Sequence, residues 1–258
     1  MFEKNRGSIV TRFTNGLFVA AALILAAGPA AAGCRDAPQP NVDWSDCAKK
    51  QLILTGENLA GGTFHGSFFT STDLSGSNLA GADFEGGDLS RTNLSKTNLS
   101  GARFRKVQGP RAWFENANLS DAVFEKSEFT RAKFSGANLQ GADFSGSELN
   151  RADFKDAKLA DVDFSKAELA RANLAGQTLQ GVDFSFANIS RADFRGTALA
   201  DARLDGAYLF LTRLEGADLS QTSGLKQDQL DLACGDEATR LPDGLSPSGS
   251  WPCADLDD

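Results

Sequence analysis

A large apolar side chain recurs at every fifth position between Leu54 and Leu219. The 34 positions of this series hold thirteen Phe, nineteen Leu and Ile189, and only Gly109 departs from the pattern. A small residue, most often Ala, stands two positions before most of them. A period of five fits neither the period of about 3.6 of a helix nor the period of two of a strand. The pattern therefore predicts a solenoid made of five-residue units.

The choice between Phe and Leu repeats with a period of twenty, so four units make one coil. One column is pure Leu: Leu59, Leu79, Leu99, Leu119, Leu139, Leu159, Leu179, Leu199 and Leu219. Another is Phe until its last member: Phe64, Phe84, Phe104, Phe124, Phe144, Phe164, Phe184 and Leu204. A period of fifteen mixes the two residue types, which disfavours a three-sided coil. With about 4.8 Å between stacked strands, a rod of about eight coils and about 40 Å is expected.

The repeats resemble the pentapeptide-repeat family, whose units read A(D/N)LXX. Ala142-Asp143-Phe144-Ser145-Gly146 and Ala172-Asn173-Leu174-Ala175-Gly176 match this unit closely. The resemblance covers residues 52 to about 222 and implies an all-β solenoid, a right-handed quadrilateral parallel β-helix. It also implies that the large and small residues point inward and that the other residues form the surface.

Both ends of such a rod need covers, because a terminal coil exposes its core and its unpaired backbone. Residues 33–51 are the predicted N-terminal cap, in which Trp44 is an aromatic lid. Residues 223–258 are the predicted C-terminal cap, with a short helix from Leu225 to Ala233 followed by a loop. This tail also resembles that of exported pentapeptide-repeat proteins.

Residues 1–32 have the three parts of a secretory signal: a basic start, an apolar run from Leu17 to Ala27, and small residues at Ala30 and Ala32 before the cut. The eleven-residue run is too short for a membrane span, which needs about 20 residues. An uncleaved anchor or buried helix is the alternative interpretation. Ala31-Ala32-Gly33-Cys34 is also a loose match to a lipoprotein cleavage box, which would place a lipid on Cys34 and anchor the chain in the envelope. The expected location is the periplasm or the exterior of a bacterium.

The four cysteines, Cys34, Cys47, Cys234 and Cys253, flank the repeats in two pairs. An even number of cysteines in an exported chain predicts disulfides. Four cysteines allow three pairings, and the sequence does not choose among them, although local pairs require no contact between opposite ends of the rod. Their spacing does not fit a zinc site.

The twenty-residue register also aligns surface residues. One column contains arginine in six successive coils: Arg91, Arg111, Arg131, Arg151, Arg171 and Arg191. Asp88, Glu128, Glu148 and Glu168 stand three residues earlier on the same face, and we expect them to neutralise the arginines, with an anion or partner site as the alternative. Asn58, Asn78, Asn98, Asn118 and Asn138 predict a ladder of hydrogen-bonded amides.

Two irregular regions are candidates for contacts with a partner. Gly109 removes a core side chain and Pro110 removes a backbone donor, so a bulge is expected here, with Trp113 filling the gap or exposed as an anchor. Near the C-terminal end, Phe186, Tyr208, Phe210 and Leu211 occupy outward positions. We expect the C-terminal tail to cover them, and a dimer or partner surface is the alternative.

No catalytic, cofactor or metal motif is present, and His65, the one histidine, stands at an outward position. The sequence therefore predicts a protein that is not an enzyme and that needs no cofactor.

Net charge separates the remaining function classes. Some members of the resembled family mimic duplex DNA and bind type II topoisomerases. Of the net charge of −8 of the whole chain, only −4 belongs to the repeats, whereas duplex DNA as long as the rod carries about 24 negative charges. The mimic is therefore the less favoured class, and binding of nucleic acid is not expected. The sequence favours an exported scaffold for protein or envelope interactions, with an unidentified protein partner or a homodimer.

Overall fold

The computed structural model describes residues 33–253 of the chain, and residues 43–223 form a four-sided parallel β-helix. Along the repeats, bridged residues are twenty positions apart, and one column contains ten stacked residues from Asp43 to Ser223. The spacing of twenty confirms the four-sided coil and excludes the three-sided one. Each side contributes one bridged residue per coil, and the one helix among residues 33–253, α1, spans Gln227–Leu230.

Each five-residue unit forms one side of the coil, and the second residue after the large apolar residue forms the corner between two sides. From Asn41 to Gly216 every residue at this position has a φ between 53° and 71°. Glycine adopts this left-handed conformation without strain, whereas other residues have a cost of about 1 to 2 kcal/mol. Throughout residues 41–223, the N–H of the residue that precedes each corner donates to no backbone carbonyl.

The core consists of side chains stacked along the rod. The rings of Phe84, Phe104, Phe124, Phe144 and Phe164 lie face over face, with centroids 4.3 to 5.3 Å apart. These rings are almost completely buried. Each coil therefore depends on the coils above and below it, as expected for a solenoid.

The predicted bulge at Gly109 and Pro110 is wrong, because the ladder passes through this coil without interruption. Gly109 N donates to Glu128 O at 2.7 Å, and Arg91 N donates to Pro110 O at 3.1 Å. Pro110 stands before a corner, where the backbone N–H is not needed for the ladder. The ring of Phe129 occupies the space where a side chain of Gly109 would lie, so Trp113 does not fill the gap.

The ladder is broken at Gln177, which occupies an inward position where most units have a small residue. Its carboxamide lies between two coils, and in the amide orientation assigned from its neighbours the nitrogen donates to Ala157 O and the oxygen accepts from Asp156 N, both at 2.9 Å. These two contacts replace backbone hydrogen bonds of the ladder. Lys158 and Thr178 accordingly form no bridge with each other.

The N-terminal end is covered by Trp44, as the sequence predicts. Trp44 is buried, and its ring lies 5.7 Å from that of Phe64. Lys49 Nζ lies 3.6 Å from the centroid of the Trp44 ring and donates to Cys34 O at 2.8 Å. The ladder already includes Asp43, so it begins inside the segment predicted as a cap.

The C-terminal segment closes the other end of the core. Gln229 Nε2 donates to Leu204 O and Ala207 O at 2.9 and 2.8 Å, and Leu230 is buried. The helix is shorter than predicted because the chain returns to the ladder after Leu230. There Leu232 O accepts from Leu211 N, Cys234 pairs with Arg213, and the last bridge joins Asp218 to Arg240.

Both cysteine pairs are local. The Sγ atoms of Cys34 and Cys47 lie 1.96 Å apart, and those of Cys234 and Cys253 lie 1.95 Å apart. Of the three pairings that the sequence allows, the structure therefore has the one that ties each terminal segment to itself.

The predicted asparagine ladder is confirmed. Each amide nitrogen donates to the side-chain oxygen one coil earlier, as in Asn78 to Asn58 at 3.2 Å and Asn98 to Asn78 at 3.1 Å. The same contact continues to Asn118 and Asn138.

Aspartates that stand one position before a large core residue accept hydrogen bonds from the residue two positions later. The hydroxyl of Ser45 donates to Asp43 at 2.6 Å, and that of Ser220 donates to Asp218 at 2.7 Å. The backbone N–H groups of both serines donate to the same carboxylates. These hydrogen bonds, the hydroxyl bond most of all, hold the pKa of Asp43 and Asp218 below its ordinary value.

Truncation of one stacked ring should destabilise the whole rod. We expect Phe144→Ala to lower the free energy of unfolding by about 3 to 5 kcal/mol, because it leaves a cavity between two coils. Denaturant titration followed by circular dichroism measures this change. The control is Ile53→Ala, at a side chain that is 81% exposed, with an expected change within about 0.5 kcal/mol. Equal effects of the two variants would contradict the stacked core.

Acid should also destabilise the rod. The pKa of Asp218 is lower in the folded chain than its unfolded value of about 3.9, so the unfolded chain takes up the proton first as the pH falls. The stabilisation is complete above about pH 5 and is lost as the pH falls through the folded pKa. Denaturant titrations at several pH values should show a weaker dependence in Asp218→Asn, whose amide oxygen still accepts from Ser220. An unchanged dependence would contradict this assignment.

Candidate interaction face

One side of the rod collects most of the residues that the sequence singled out, and we call it the arginine face. Two columns define it. The arginine ladder consists of Arg91, Arg111, Arg131, Arg151, Arg171 and Arg191. The acceptor column, three residues earlier in each coil, consists of Asp88, Gln108, Glu128, Glu148, Glu168 and Asn188. Consecutive members of the acceptor column are bridged, and Phe68 and Tyr208 continue the column at its two ends.

The arginine ladder occupies a corner of the rod. Its six residues are exposed and have φ values between 55° and 61°. Their backbone is held by the ladder, as where Arg151 N donates to Ala170 O at 2.9 Å. Glycine fits this corner with less strain and occupies the diagonally opposite corner in Gly61, Gly81, Gly101, Gly141 and Gly181. Six successive arginines at a position that favours glycine indicate that the arginine side chains contribute to function rather than to the fold.

The expected neutralisation of the arginine ladder by the acids on the same face does not take the form of direct ion pairs. Within residues 33–253 no carboxylate oxygen lies within 4.0 Å of a guanidinium nitrogen of the ladder. Arginines elsewhere on the rod do find such partners, as Arg105 does in Glu125 at 2.8 Å.

The acceptor column presents oxygen atoms along the middle of the face. Burial alone would raise the pKa of Asp88, but hydrogen bonds from Ser90 and Thr70 outweigh it and hold the pKa below its ordinary value. Asp88 is therefore ionised at neutral pH. Asn188 Nδ2 donates to Glu168 at 2.7 Å, which links neighbouring members of the column.

Two open grooves border the arginine ladder. The first has a volume of about 630 Å³ and runs beside Arg91, Arg111, Arg131 and Arg151, with Glu128 on its other side. The second, of about 420 Å³, lies around the corner and is lined by Arg91, Arg111 and Trp113. Trp113 is 41% exposed, so the structure places it as a surface residue beside the ladder.

The expectation that the tail covers the late aromatic residues is also wrong. Phe186, Tyr208 and Phe210 are 65%, 49% and 38% exposed. The rings of Tyr208 and Phe210 are parallel, with centroids 6.2 Å apart. The tail pairs along the edge of this group instead and adds Leu232, which is itself exposed. We call Tyr208, Phe210, Leu211 and Leu232 the apolar patch.

Two contributors to the face were missed from the sequence. Phe68 is 42% exposed, with Lys50 Nζ 4.8 Å from its ring centroid, and Leu232 extends the apolar patch. The signal for Phe68 was available, since it stands one position before a core residue in the same column as Tyr208. Leu232 carries no such signal, because it lies beyond the repeats.

The one histidine of the chain has a local partner. His65 Nε2 lies 2.9 Å from Asp83 Oδ2. In the part of the chain that the structure describes, no group of three or more His, Cys, Asp or Glu residues is arranged to hold a metal ion. No helix between residues 33 and 253 is long and apolar enough to cross a membrane.

These features define a β-solenoid of five-residue units with one charged and partly aromatic face. Sequence profiles of two known families match the chain. The profile described as "Pentapeptide repeat region" matches residues 80–154 and 127–204, and that described as "Pentapeptide repeats (8 copies)" matches residues 53–91 and 187–223. The chain therefore belongs to the pentapeptide-repeat family. No curated protein sequence matches it significantly.

Solved structures of pentapeptide-repeat proteins are similar to the chain. HetL, involved in heterocyst differentiation regulation in the cyanobacterium Nostoc sp. strain PCC 7120, is 25% identical with a TM-score of 0.36, over 80% of this chain and 91% of HetL. Rfr23 from the cyanobacterium Cyanothece 51142 is 22% identical with a TM-score of 0.30, over 49% and 90%. QnrB1, a plasmid-mediated fluoroquinolone resistance protein, is 20% identical with a TM-score of 0.31, over 74% and 94%.

Proposed function

We propose that this protein is an exported, non-enzymatic scaffold of the bacterial envelope that binds a protein partner through the arginine face. The observation that carries the proposal is the arginine ladder, six exposed guanidinium groups with no carboxylate partner among residues 33–253. Arginine forms strong, geometrically specific hydrogen bonds with carboxylates, and exposed aromatic side chains are enriched in protein interfaces.

The two disulfides support export. Disulfides persist in oxidising compartments and are rare in the bacterial cytoplasm. They also disfavour the lipoprotein alternative, because the Cys34 sulfur that is bonded to Cys47 is not free to carry a thioether-linked lipid. The signal sequence on which export also depends lies outside the described residues.

The surface charge argues against mimicry of duplex DNA. A mimic needs regular columns of negative charge, whereas the longest regular column of charge on this rod is the arginine ladder. The scaffold is therefore the function that the geometry supports better.

Export is tested by fractionation of the tagged full-length chain in a bacterial host. We expect recovery from the periplasm or medium as a chain that begins at Gly33, with a mass that rises by about four protons on reduction of its two disulfides. Cytoplasmic recovery with residues 1–32 still attached would overturn export. A lipid mass on Cys34 would overturn the unlipidated form of the proposal.

Use of the arginine face is tested by photo-crosslinking in the same cells. A photoreactive amino acid at Thr130, beside the ladder, should give products heavier than the chain alone. The control position is Lys158, which is exposed on the opposite side of the rod. Equal yields from the two positions, or no product from Thr130, would contradict the proposal.

A further inference from the structure

The arginine face is complementary to itself. Every coil that places an arginine in the ladder places an oxygen acceptor in the acceptor column, and both columns span the same six coils. The two flanking coils lack the arginine, and there the column holds Phe68 and Tyr208 instead. Donors and acceptors therefore match coil by coil, yet the described residues show no ion pair between the two columns within one chain.

Only one face-to-face arrangement brings unlike columns together. If the partner rod is antiparallel, a two-fold axis across the rods places each column opposite its own copy, so that arginine faces arginine. If the partner is parallel, a two-fold axis along the rods exchanges the two columns. The ladder of one copy then lies opposite the acceptor column of the other, in the same coil.

We propose that two copies of this chain pair through their arginine faces, parallel and in register, about a two-fold axis that runs along the rod. Arg131, Arg151 and Arg171 of each copy then pair with Glu128, Glu148 and Glu168 of the other. Such a two-fold interface is isologous, which is the commonest arrangement in homo-oligomers. The inference rests on the proposed use of the arginine face but not on export.

The apolar patch obeys the same symmetry. Phe210 lies between the two columns, next to the axis, so it meets its own copy. Tyr208 in the acceptor column lies opposite Leu211 in the ladder column of the partner. The operation that pairs the charges therefore also removes exposed apolar side chains from water. The patch lies at one end of the face, so it fixes the register that the repeating charges alone leave open.

A linear polyanion fits this face less well than a second copy. The acceptor column contains Asp88, Glu128, Glu148 and Glu168 beside the ladder, and these carboxylates would repel it. An extended acidic peptide does not match the ladder either. Its side chains on one face recur about every 6.6 Å, whereas the coils are about 4.8 Å apart.

Charge reversal and rescue test the pairing. Sedimentation of the purified mature chain should give the mass of two chains at low salt, with a dissociation constant that rises with salt. Arg151→Glu should raise this constant at least about tenfold, because it places glutamates opposite one another. The exchange Arg151→Glu with Glu148→Arg should restore it to near the parent value. Lys158→Glu, the same charge change on the opposite side, should leave it unchanged.

Cysteine crosslinking tests the orientation. Ser90→Cys and Ser190→Cys each place a thiol beside the proposed axis, in the first and the last coil of the arginine face, five coils apart. In the parallel arrangement each single variant should form a covalent dimer on oxidation. Crosslinking only in a mixture of the two variants would instead indicate antiparallel rods and overturn the proposal.

The mass of one chain at all salt and protein concentrations would also overturn the dimer, as would a double variant as weak as Arg151→Glu. Heavier crosslinked products from Thr130 in cells, together with a single-chain mass in solution, would leave the proposed function standing and remove only this inference.

Discussion

The parallel ladder that joins each residue to the one twenty positions later is the constraint on which the rest of the structure depends. It requires a left-handed backbone at every corner and a core filled by large apolar side chains at the inward centres, since each coil covers the next. Once this register is set, residues that are far apart in the sequence become neighbours about 4.8 Å apart. A single choice of residue, repeated every twenty positions, thus becomes a continuous column on the surface.

The ladder also explains why the arginine face is unusual. In other columns, several charged side chains find opposite charges in the next coil, as Arg203 does in Asp183 at 3.3 Å. The arginine ladder repeats the same charge at every level, so its neighbours along the rod cannot neutralise it. The acceptor column of the same coil forms no direct ion pair with the ladder among residues 33–253, so the six guanidinium groups stay available to a partner.

The sequence predicted the repeat, the four sides, the core and the asparagine ladder, because these follow directly from the period. The sequence-based predictions failed where the effect of one residue depends on its neighbours in the adjacent coils. Pro110 suggested a bulge, but the ladder does not use the N–H at that position; Gly109 suggested a gap for Trp113, but Phe129 from the next coil fills it. The sequence alone could not show whether the arginine ladder forms ion pairs or where the C-terminal tail runs, because both depend on side-chain directions and tertiary contacts.

Gln177 interrupts the backbone ladder in the middle of an otherwise regular rod. Its side chain replaces backbone hydrogen bonds between the coil of Asp156 and the coil of Thr178, so cohesion between these two coils is weaker on one side than between any typical pair. In a molecule held together by nearest-neighbour contacts, such a place limits how far cooperativity extends. Local opening that begins in one half of the rod should therefore spread across this junction less readily than across a junction with a complete ladder.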